Sequence, residues 1–479
     1  MSSSSEVQLN YIHKHLVAEI LNNLQETLQS YDVQRCVGLD GFMSALYQIT
    51  LWTRTRHTIE SKERHLIAKF MKGDSNFRQV TKSYIQFANE VFIYDQVLPL
   101  FRGLLHQAVV FDISVENWVP RCYIAKFGYI EGLSASPTDR DAALVLTNLK
   151  PHGYKLGPRL YLKRDHLLKM TEILSQYHAM SYVLRLHSAP RFEQLKASIV
   201  TLPFCNEEDP NDDRTNLYKV LYRAAFDRFF QYFDRVVDDT FDLRVRNDVN
   251  LLNNLRRLRE KYFAQPTRLL EHLRTSIELT EEDRRFGAIL HGDYNRNNVL
   301  FRYKQKHQPE DLDGIGDVRD EVEDAKMIDF QELRYGSPAI DLSFYMYMNT
   351  TINARDEMWP EILECYHSYM FHTLASVLPA ITTDGNLKSI EEQLLFYGYV
   401  KFYNHFCKFA FYGVLVCMHF LPWMLCSEEE RNRLSHLFET DMQGEEFHQL
   451  SIDAGGDLVN EEIMEIMRHA SHNGYMDNI

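Results

Sequence analysis

The chain of 479 residues carries 67 acidic and 52 basic side chains, and its formal charge of −15 argues against a nucleic-acid-binding protein, which normally presents a basic face. Its length exceeds the size at which one hydrophobic core stops growing, so two domains are expected. The hydrophobic fraction of 45% is that of an ordinary globular protein.

The N-terminal region predicts a helix and a cytoplasmic protein. The first ten residues, MSSSSEVQLN, lack the basic and apolar regions of a signal peptide. The seven cysteines are scattered without a C-x-x-C pair, so neither a disulfide framework nor a zinc site is indicated. From Val7 to Tyr31, apolar residues recur at steps of three and four, which predicts one helix.

Strand patterns follow. The segments GLDGFMSALYQITLWTR and RHLIAKFM predict two strands joined by a turn, with Gly38 and Gly41 ahead of the first. The segments RCYIAKFGYI and AALVLTNLKPHGY predict two more strands, and the second breaks at Asn148–Gly153. This break is the best candidate for a domain boundary or hinge.

A helix is predicted between the two strand pairs, from Phe77 to Leu98, with Pro99 as its stop signal. Glu90 lies three residues after Phe87 and four before Tyr94, so it shares their inward-facing stripe. A buried glutamate requires a cation.

The rest of the chain is mostly helical in pattern. Helices are predicted over Lys163–Leu186, Leu217–Phe233 and Val249–Tyr262, with several more between Trp359 and Glu439. The polar, acidic stretch Tyr303–Lys326 predicts a surface loop and does not match a calcium-binding loop. A strand-rich N-terminal part therefore precedes a helix-rich C-terminal part, which is an α+β fold.

One segment of the helical part requires a membrane test. Phe409–Cys426 is free of formally charged side chains, but it contains Gly413, His419 and Pro422 and lies at the short limit for a span. A buried helix is the favoured interpretation, and no membrane span is expected.

Two segments carry the chemistry. ILHGDYNRNNVLFRYKQ, from Ile289 to Gln305, and KMIDFQELRYGSPAIDLSFYM, from Lys326 to Met346, place polar residues after apolar, strand-like runs. Between them they supply three carboxylates and one amide: Asp293, Asn298, Asp329 and Asp341. Such oxygen-rich sets suit Mg²⁺, which completes its coordination with water and phosphate oxygens. This predicts phosphoryl transfer.

The spacing H-x-D-x₄-N, followed by apolar-apolar-Asp-Phe, resembles the catalytic and metal-binding loops of the protein-kinase-like superfamily. More narrowly, LHGDYNRNNVLF with MIDFQ resembles the ecdysteroid kinase-like family, which is related to choline kinases and aminoglycoside phosphotransferases. The segments LIAKF, FANEVFIYDQVLPLF, LVLTNL and LSQYHAMS agree with that family's lysine strand, helix, hinge and first large C-lobe helix.

The resemblance implies a two-lobed protein-kinase-like fold, with a small N-terminal lobe built on an antiparallel sheet and a larger, mostly helical C-terminal lobe. The expected divisions are a helical extension over residues 1–36, an N-lobe over 37–148 and a C-lobe over 149–479. The implied cofactors are ATP and Mg²⁺.

The resemblance also implies a role for each matching residue. Lys69 would hold the α- and β-phosphates of ATP, oriented by Glu90. Asp293 would accept the proton of the substrate hydroxyl, with Asn298 and Asp329 as metal ligands.

The remaining assignments concern supporting residues. Asp341 would brace the catalytic loop by accepting backbone N–H bonds, and His291 would be a packed loop residue, with a general-base role as the less favoured alternative. Leu146 and Asn148 fall in the hinge, which binds adenine mainly through backbone groups. Ser44 would donate to a phosphate oxygen or cap a turn.

The sequence thus predicts an ATP-dependent phosphotransferase acting on a hydroxyl of a small organic molecule, an ecdysteroid-like steroid or a xenobiotic in detoxification. One alternative is a catalytically silent binding protein of the same fold. The other is a protein kinase, which is disfavoured because Gly292 replaces the arginine of H-R-D and because the chain after Asp329 has no A-P-E element. The acceptor molecule and the oligomeric state stay open.

Overall fold

The computed structural model describes residues 4–36, 44–55, 61–205, 213–238, 245, 247–304, 321–382 and 387–479. Contacts divide the chain into two compact units. The first unit comprises residues 1–157, 189–200 and 297–333, and the second comprises residues 158–188, 201–296 and 334–479. The predicted division into an extension and two lobes stays a prediction.

The first unit is built on a five-stranded antiparallel sheet with the strand order β1-β2-β3-β5-β4. Its strands are β1 (Glu26–Arg35), β2 (Ser44–Thr55), β3 (Ser61–Met71), β4 (Cys122–Gly128) and β5 (Asp141–Thr147). The strand predictions for β2 to β5 are therefore confirmed. The glycines Gly38 and Gly41, predicted to form a turn, lie outside the described residues.

The N-terminal helix is shorter than predicted. It runs as α1 (Ser4–Tyr11), a π-helical turn (Ile12–Leu16) and α2 (Val17–Leu24), and it ends where Gln25 adopts a left-handed conformation with φ 54°. The prediction of one helix from Val7 to Tyr31 is wrong at its end, because residues 26–35 pair with β2 instead.

Two hydrophobic clusters cover the two faces of the sheet. On one face, Ile12, Leu16 and Ile20 of the N-terminal helix pack against Ala68 and Phe70 of β3. Each fully buried side chain of this size contributes about 1.5–3 kcal/mol. The opposite face is covered by the helix Ser83–Phe92, which carries Glu90.

The helices that follow β3 are α3 (Ser75–Val80), α4 (Ser83–Phe92), a π-helical turn (Ile93–Val97), α5 (Leu98–Ala108) and α6 (Val115–Trp118). The predicted stripe of Phe87, Val91, Tyr94 and Leu98 is buried, as expected. The predicted stop at Pro99 is wrong: the proline occupies the first turn of α5, where its missing N–H is not needed.

The first unit also contains α8 (Ala189–Ser198) and a three-stranded antiparallel sheet, ordered β6-β8-β9. Its strands are β6 (Tyr154–Leu156), β8 (Val299–Tyr303) and β9 (Val322–Met327). The predicted surface loop Tyr303–Lys326 is therefore wrong at both ends, because Tyr303 and residues 322–326 pair as strand. Residues 305–320 lie outside the described part of the chain.

The second unit is mostly helical, so the predicted α+β class is confirmed. Its helices are α7 (Arg164–His187), α9 (Asp213–Asp238), α10 (Val249–Tyr262), α11 (Pro266–Thr275), α12 (Glu281–Phe286), α13 (Ala339–Asn349), α14 (Ile352–Val377), α15 (Leu387–Phe396), α16 (Tyr399–Phe409), α17 (Phe411–Leu425), α18 (Glu428–Thr440), α19 (Glu445–Asp453) and α20 (Gly456–His472). A two-stranded antiparallel sheet joins β7 (Ala288–Leu290) to β10 (Arg334–Gly336).

The uncharged segment after Lys408 forms α17, most of which is buried, as the favoured interpretation predicted. Gly413 allows this helix to approach α13 closely, since a Cβ there would lie 2.5 Å from the backbone carbon of Ser343. Within the described ranges, no single helix has the length and apolarity to cross a membrane, and one pair, α16 with α17, meets these criteria together across a 43° bend.

Candidate active site

The site in the first unit begins with Lys69, near the end of β3. Its strand neighbours are Leu46 on β2 and Leu144 on β5. Because side chains alternate along a strand, Lys69 projects from the face opposite the one covered by the N-terminal helix. Ser44 and Leu146 have the same parity on β2 and β5 and share that face.

Helix α4 covers this face and brings Glu90 to Lys69. Phe87 and Val91 of the helix pack against Met71 at the end of β3, which sets the orientation of α4. Lys69 Nζ donates to Glu90 Oε2 at 2.8 Å and lies 5.5 Å from the centre of the Phe87 ring. The cation that the inward-facing glutamate requires is thus supplied from the sheet.

Asp329 provides the second carboxylate. It follows β9 by two residues, and Lys69 Nζ donates to its Oδ1 at 2.9 Å. Its φ of 66° is left-handed, a conformation that Asp tolerates better than most residues because its short side chain can bond locally. The Asp329 side chain remains 38% exposed, whereas that of Glu90 is 2% exposed. One of the two carboxylates therefore faces solvent.

Burial and ion pairing shift the pKa values of this cluster in opposite directions. Burial alone would lower the pKa of the Lys69 ammonium, but the carboxylates of Asp329 and Glu90 raise that pKa above its usual value. Burial also raises the pKa of Glu90, and the ion pair with Lys69 only partly offsets this. Lys69 stays charged at neutral pH.

Asn298 lies next to this cluster by strand register. Val299 at the start of β8 pairs with Met327 at the end of β9, and the N–H of Ile328 donates to the carbonyl of Asn298 at 2.9 Å. Asn298 and Asp329 therefore stand at adjoining strand ends. The oxygens of an amide and a half-exposed carboxylate fit Mg²⁺, which takes few protein ligands and keeps water or phosphate oxygens.

No group of three or more His, Cys, Asp or Glu side chains able to hold a metal ion occurs among the residues that the structure describes.

The second unit contains three of the sequence-predicted residues, His291, Asp293 and Asp341. Asp341 Oδ2 accepts the backbone N–H of His291 at 2.7 Å, and its Oδ1 accepts that of Gly292 at 2.9 Å. Pairing of β7 with β10 brings the two segments together, because His291 follows β7 and α13 follows β10. Burial would raise the pKa of Asp341, but hydrogen bonds from His178 and Gly292 hold that pKa below its usual value.

Between His291 and Asp293, Gly292 has φ 85°, a left-handed conformation that favours glycine. This gives a physical reason for the glycine where the H-R-D pattern has arginine. Asp293 is half-buried, and its Oδ1 accepts the side-chain amide of Asn295 at 3.0 Å. His291 itself is fully buried.

The hinge residue Asn148 is held by hydrogen bonds to β3 and to the chain that follows it. The N–H of Asn148 donates to the carbonyl of His65 at 2.9 Å, and its side-chain oxygen accepts the N–H of Lys150 at 3.1 Å. The Asn148 side chain therefore closes a turn. Leu146 and Ser44 are both buried on the Lys69 face.

Sequence reasoning missed two residues of the second unit. His178 on α7 lies with Nε2 3.3 Å from Asp341 Oδ2, and its Nδ1 lies 2.8 Å from the Tyr366 hydroxyl on α14. The local signal was a histidine within the predicted helical stretch LSQYHAMS, and the more frequent explanation of such a histidine is a packed core residue.

The family model of the ecdysteroid kinase-like family matches residues 38–378, more than two thirds of the chain. The class is therefore that of a kinase-like α+β protein. The chain belongs to the ecdysteroid kinase-like family. No curated protein matches it.

Solved structures give weaker likenesses. The chain is similar to the GDP complex of wild-type aminoglycoside 2′-phosphotransferase-IIIa, at 11% identity over 96% of this chain and 98% of that chain, with a TM-score of 0.32. It is also similar to the microcompartment-associated aminopropanol kinase, at 9% identity over 83% of this chain and 98% of that chain, with a TM-score of 0.29. At these values neither likeness says anything about activity.

Proposed function

We propose that the chain is an ATP- and Mg²⁺-dependent phosphotransferase that acts on a hydroxyl group of a small organic molecule. The observation that carries this proposal is the Lys69 ammonium, held between the buried carboxylate of Glu90 and the half-exposed carboxylate of Asp329. A lysine oriented in this way suits the phosphates of a nucleotide. Membership of the ecdysteroid kinase-like family supports the same reaction class.

Each residue has a role in this proposal. Lys69 would bind the phosphate oxygens while Glu90 keeps its ammonium in position, so that Asp329 exchanges its lysine partner for magnesium. Asn298 would be the second protein ligand. The metal would neutralise charge on the phosphates when bound. The protein's main contribution would be positioning, since phosphoryl transfer requires little covalent chemistry from side chains.

Asp293 would act on the acceptor. Its carboxylate would accept a hydrogen bond from the substrate hydroxyl and take the proton as the oxygen attacks the γ-phosphorus. The bond from the γ-phosphorus to the bridging oxygen would break, and ADP would be the leaving group. Asp341 would hold the backbone of the preceding residues His291 and Gly292, whose N–H groups it already accepts. Ecdysteroid-like steroids and hydroxylated xenobiotics are the proposed acceptors, on the strength of the family.

The direct test is transfer of label from radiolabelled ATP to a panel of ecdysteroids, sterols, phenolic glycosides and choline, with and without Mg²⁺. We expect a metal-dependent product heavier by one phosphate, lost in Asp293→Asn. Asp356→Asn, which changes an exposed aspartate elsewhere in the second unit, is the matched control and should retain activity. Labelling of protein substrates alone, or tight nucleotide binding without transfer to any acceptor, would overturn the proposal.

A further inference from the structure

Helix α4 and the π-helical turn after it present three buried side chains, each one turn from the next, to the segment that begins at Asp329. These residues are Gln86, Glu90 and Tyr94. The middle one reaches Asp329 through Lys69. Gln86 and Tyr94 contact residues that follow Asp329, so contacts between the helix and this segment extend beyond the ion pair.

The contacts of the outer residues are specific. Gln86 Nε2 donates to Glu332 Oε1 at 2.8 Å. The ring of Tyr94 packs edge-to-face against that of Phe330, with centroids 6.0 Å apart and an interplanar angle of 87°. Gln331, between these two contacts, stands where the D-F-G pattern has glycine, and its side chain forms a hydrogen bond with Glu90.

The segment needs such support because of its backbone. Asp329 is left-handed, and a non-glycine residue keeps this conformation only where its surroundings hold it. The next hydrogen bond within the segment, from the N–H of Leu333 to the carbonyl of Phe330, closes a turn beyond Asp329 rather than at it. The orientation of the Asp329 carboxylate therefore depends on what fixes residues 330–332.

We propose that the hydrogen bond between Gln86 and Glu332, the Gln86–Glu332 latch, positions Asp329 for magnesium. Both residues would act through Asp329 and touch neither metal nor substrate. This inference rests on the proposed function and adds to it two positioning residues outside the kinase-like motifs.

Two observations support a positioning role over a merely structural one. Gln86 Oε1 is buried without a hydrogen-bond partner among the described residues, which costs stability, and such costs are characteristic of functional sites. Helix α4 also has other anchors. Phe87 and Val91 pack against the sheet, and Asn89 exchanges two hydrogen bonds with the backbone of Val200, at 2.9 and 3.3 Å. Removing the latch should therefore leave the helix in place.

The test measures binding of Mn²⁺, a spectroscopic substitute for Mg²⁺, by electron paramagnetic resonance in the presence of a non-hydrolysable ATP analogue. In Gln86→Met, which keeps the side-chain length and removes the hydrogen bond, we expect the Mn²⁺ dissociation constant to rise about 10-fold, as when outer-shell partners of metal ligands are lost. The urea midpoint without metal should change little. Gln96→Met, an exposed residue bonded to its neighbour Asp95, is the matched control and should bind like the wild type.

The partner side gives a second series. Glu332→Gln keeps an acceptor for Gln86 and should remain within about 3-fold of the wild type, whereas Glu332→Ala should match Gln86→Met, about 10-fold weaker. Combining Gln86→Met with Glu332→Ala should weaken Mn²⁺ binding no further than either change alone. The same hydrogen bond between residues 86 and 332 is lost in both single variants and in the double variant.

Three outcomes would overturn the inference: wild-type affinity in Gln86→Met, equal weakening in Gln96→Met, or additive losses in the double variant. Failure of the proposed function looks different. If the wild type binds Mn²⁺ with nucleotide and transfers phosphate to no acceptor, the enzyme assignment fails while the latch series keeps its result. If the wild type binds no Mn²⁺ with nucleotide, the metal site and the latch fail together.

Discussion

Two aspartates, one in each unit, show how the same side chain can serve opposite purposes. Asp329 is 38% exposed, has a left-handed backbone and pairs with a lysine that a second carboxylate also holds. Asp341 is 1% exposed, lies in the first turn of a helix and accepts two backbone N–H groups. The first can exchange its partner for another cation, and the second cannot move without leaving buried donors unpaired.

Exposure and the type of partner, rather than residue type, decide whether an aspartate can exchange its partner or is fixed in place. A side-chain cation such as that of Lys69 can exchange one anionic partner for another without a change in the backbone. A backbone N–H is fixed by the fold, so its acceptor is fixed as well.

The largest effect should come from changing the exposed carboxylate. Asp329→Asn keeps a residue that tolerates the left-handed conformation but removes the negative charge. We expect phosphotransfer at saturating ATP to fall about 10³-fold, in the range seen when one electrostatic contact to a transition state is lost. Steady-state rates with the acceptor found in the panel measure this. Retention of activity within about 10-fold would contradict a role for Asp329 as metal ligand.

For the free energy of unfolding, we expect the larger loss at Asp341 and the smaller loss at Asp329. Asp341→Ala leaves the N–H groups of His291 and Gly292 buried without their acceptor, at about 1–3 kcal/mol each, so we expect the free energy of unfolding to fall by about 3 kcal/mol. Asp329→Asn, measured in parallel by urea titration, should cost less than about 1 kcal/mol, because asparagine tolerates the left-handed backbone and Lys69 retains Glu90. Equal losses of unfolding free energy in the two variants would contradict the difference inferred between the two aspartates.

The pH dependence of stability distinguishes the two buried carboxyls. Burial raises the pKa of Glu90 above its usual 4.5, so the folded state holds a proton that the unfolded state has lost, and this contribution to stability disappears as pH rises from 4.5 through the raised pKa. The pKa of Asp341 is lowered from 3.8, so its contribution is present above pH 3.8 and is lost as pH falls.

The measurement is urea unfolding from pH 5 to pH 8 in magnesium-free buffer. The stability of the wild type relative to Glu90→Gln should fall with rising pH, by at most about 1.4 kcal/mol per pH unit. Relative to Asp341→Asn it should be constant over this range. If the stability of the wild type relative to Glu90→Gln instead rises with pH, the ion pair with Lys69 lowers the pKa of Glu90 more than burial raises it.

The smallest effect on stability should come from Tyr366, which contacts Asp341 only through His178. Tyr366→Phe removes the hydroxyl that contacts His178 and should lower the free energy of unfolding by about 1 kcal/mol. Tyr129→Phe, which alters an exposed tyrosine, is the control and should stay within about 0.5 kcal/mol of the wild type. No difference between the two variants would mean that Tyr366 does not support His178.

Much of the fold was predictable because its signals are local. Short runs of apolar, β-branched and aromatic residues marked β2 to β5, and a three-to-four-residue period marked α7 and α10. The prediction that the N-terminal helix continues to Tyr31 was wrong, because residues 26–35 form β1. Gln25 is neither glycine nor asparagine, so nothing in the local sequence indicated a left-handed stop, and the helical period of leucines continued past it to Leu28. Pairing with β2 decided the outcome, since β-structure depends on the partner strand.

Within the candidate site, the charged residues and the position of each on its own helix or strand follow from the sequence alone. Glu90 faced inward by helical spacing, and Asp293, Asn298 and Asp329 stood at predicted strand ends. Tertiary structure decided which of them meet. Lys69 and Asp329 are 260 residues apart, and His178 and Asp341 are 163 apart. No local period reports such contacts, because they form only when separate elements pack together and burial makes each unpaired charge or donor costly.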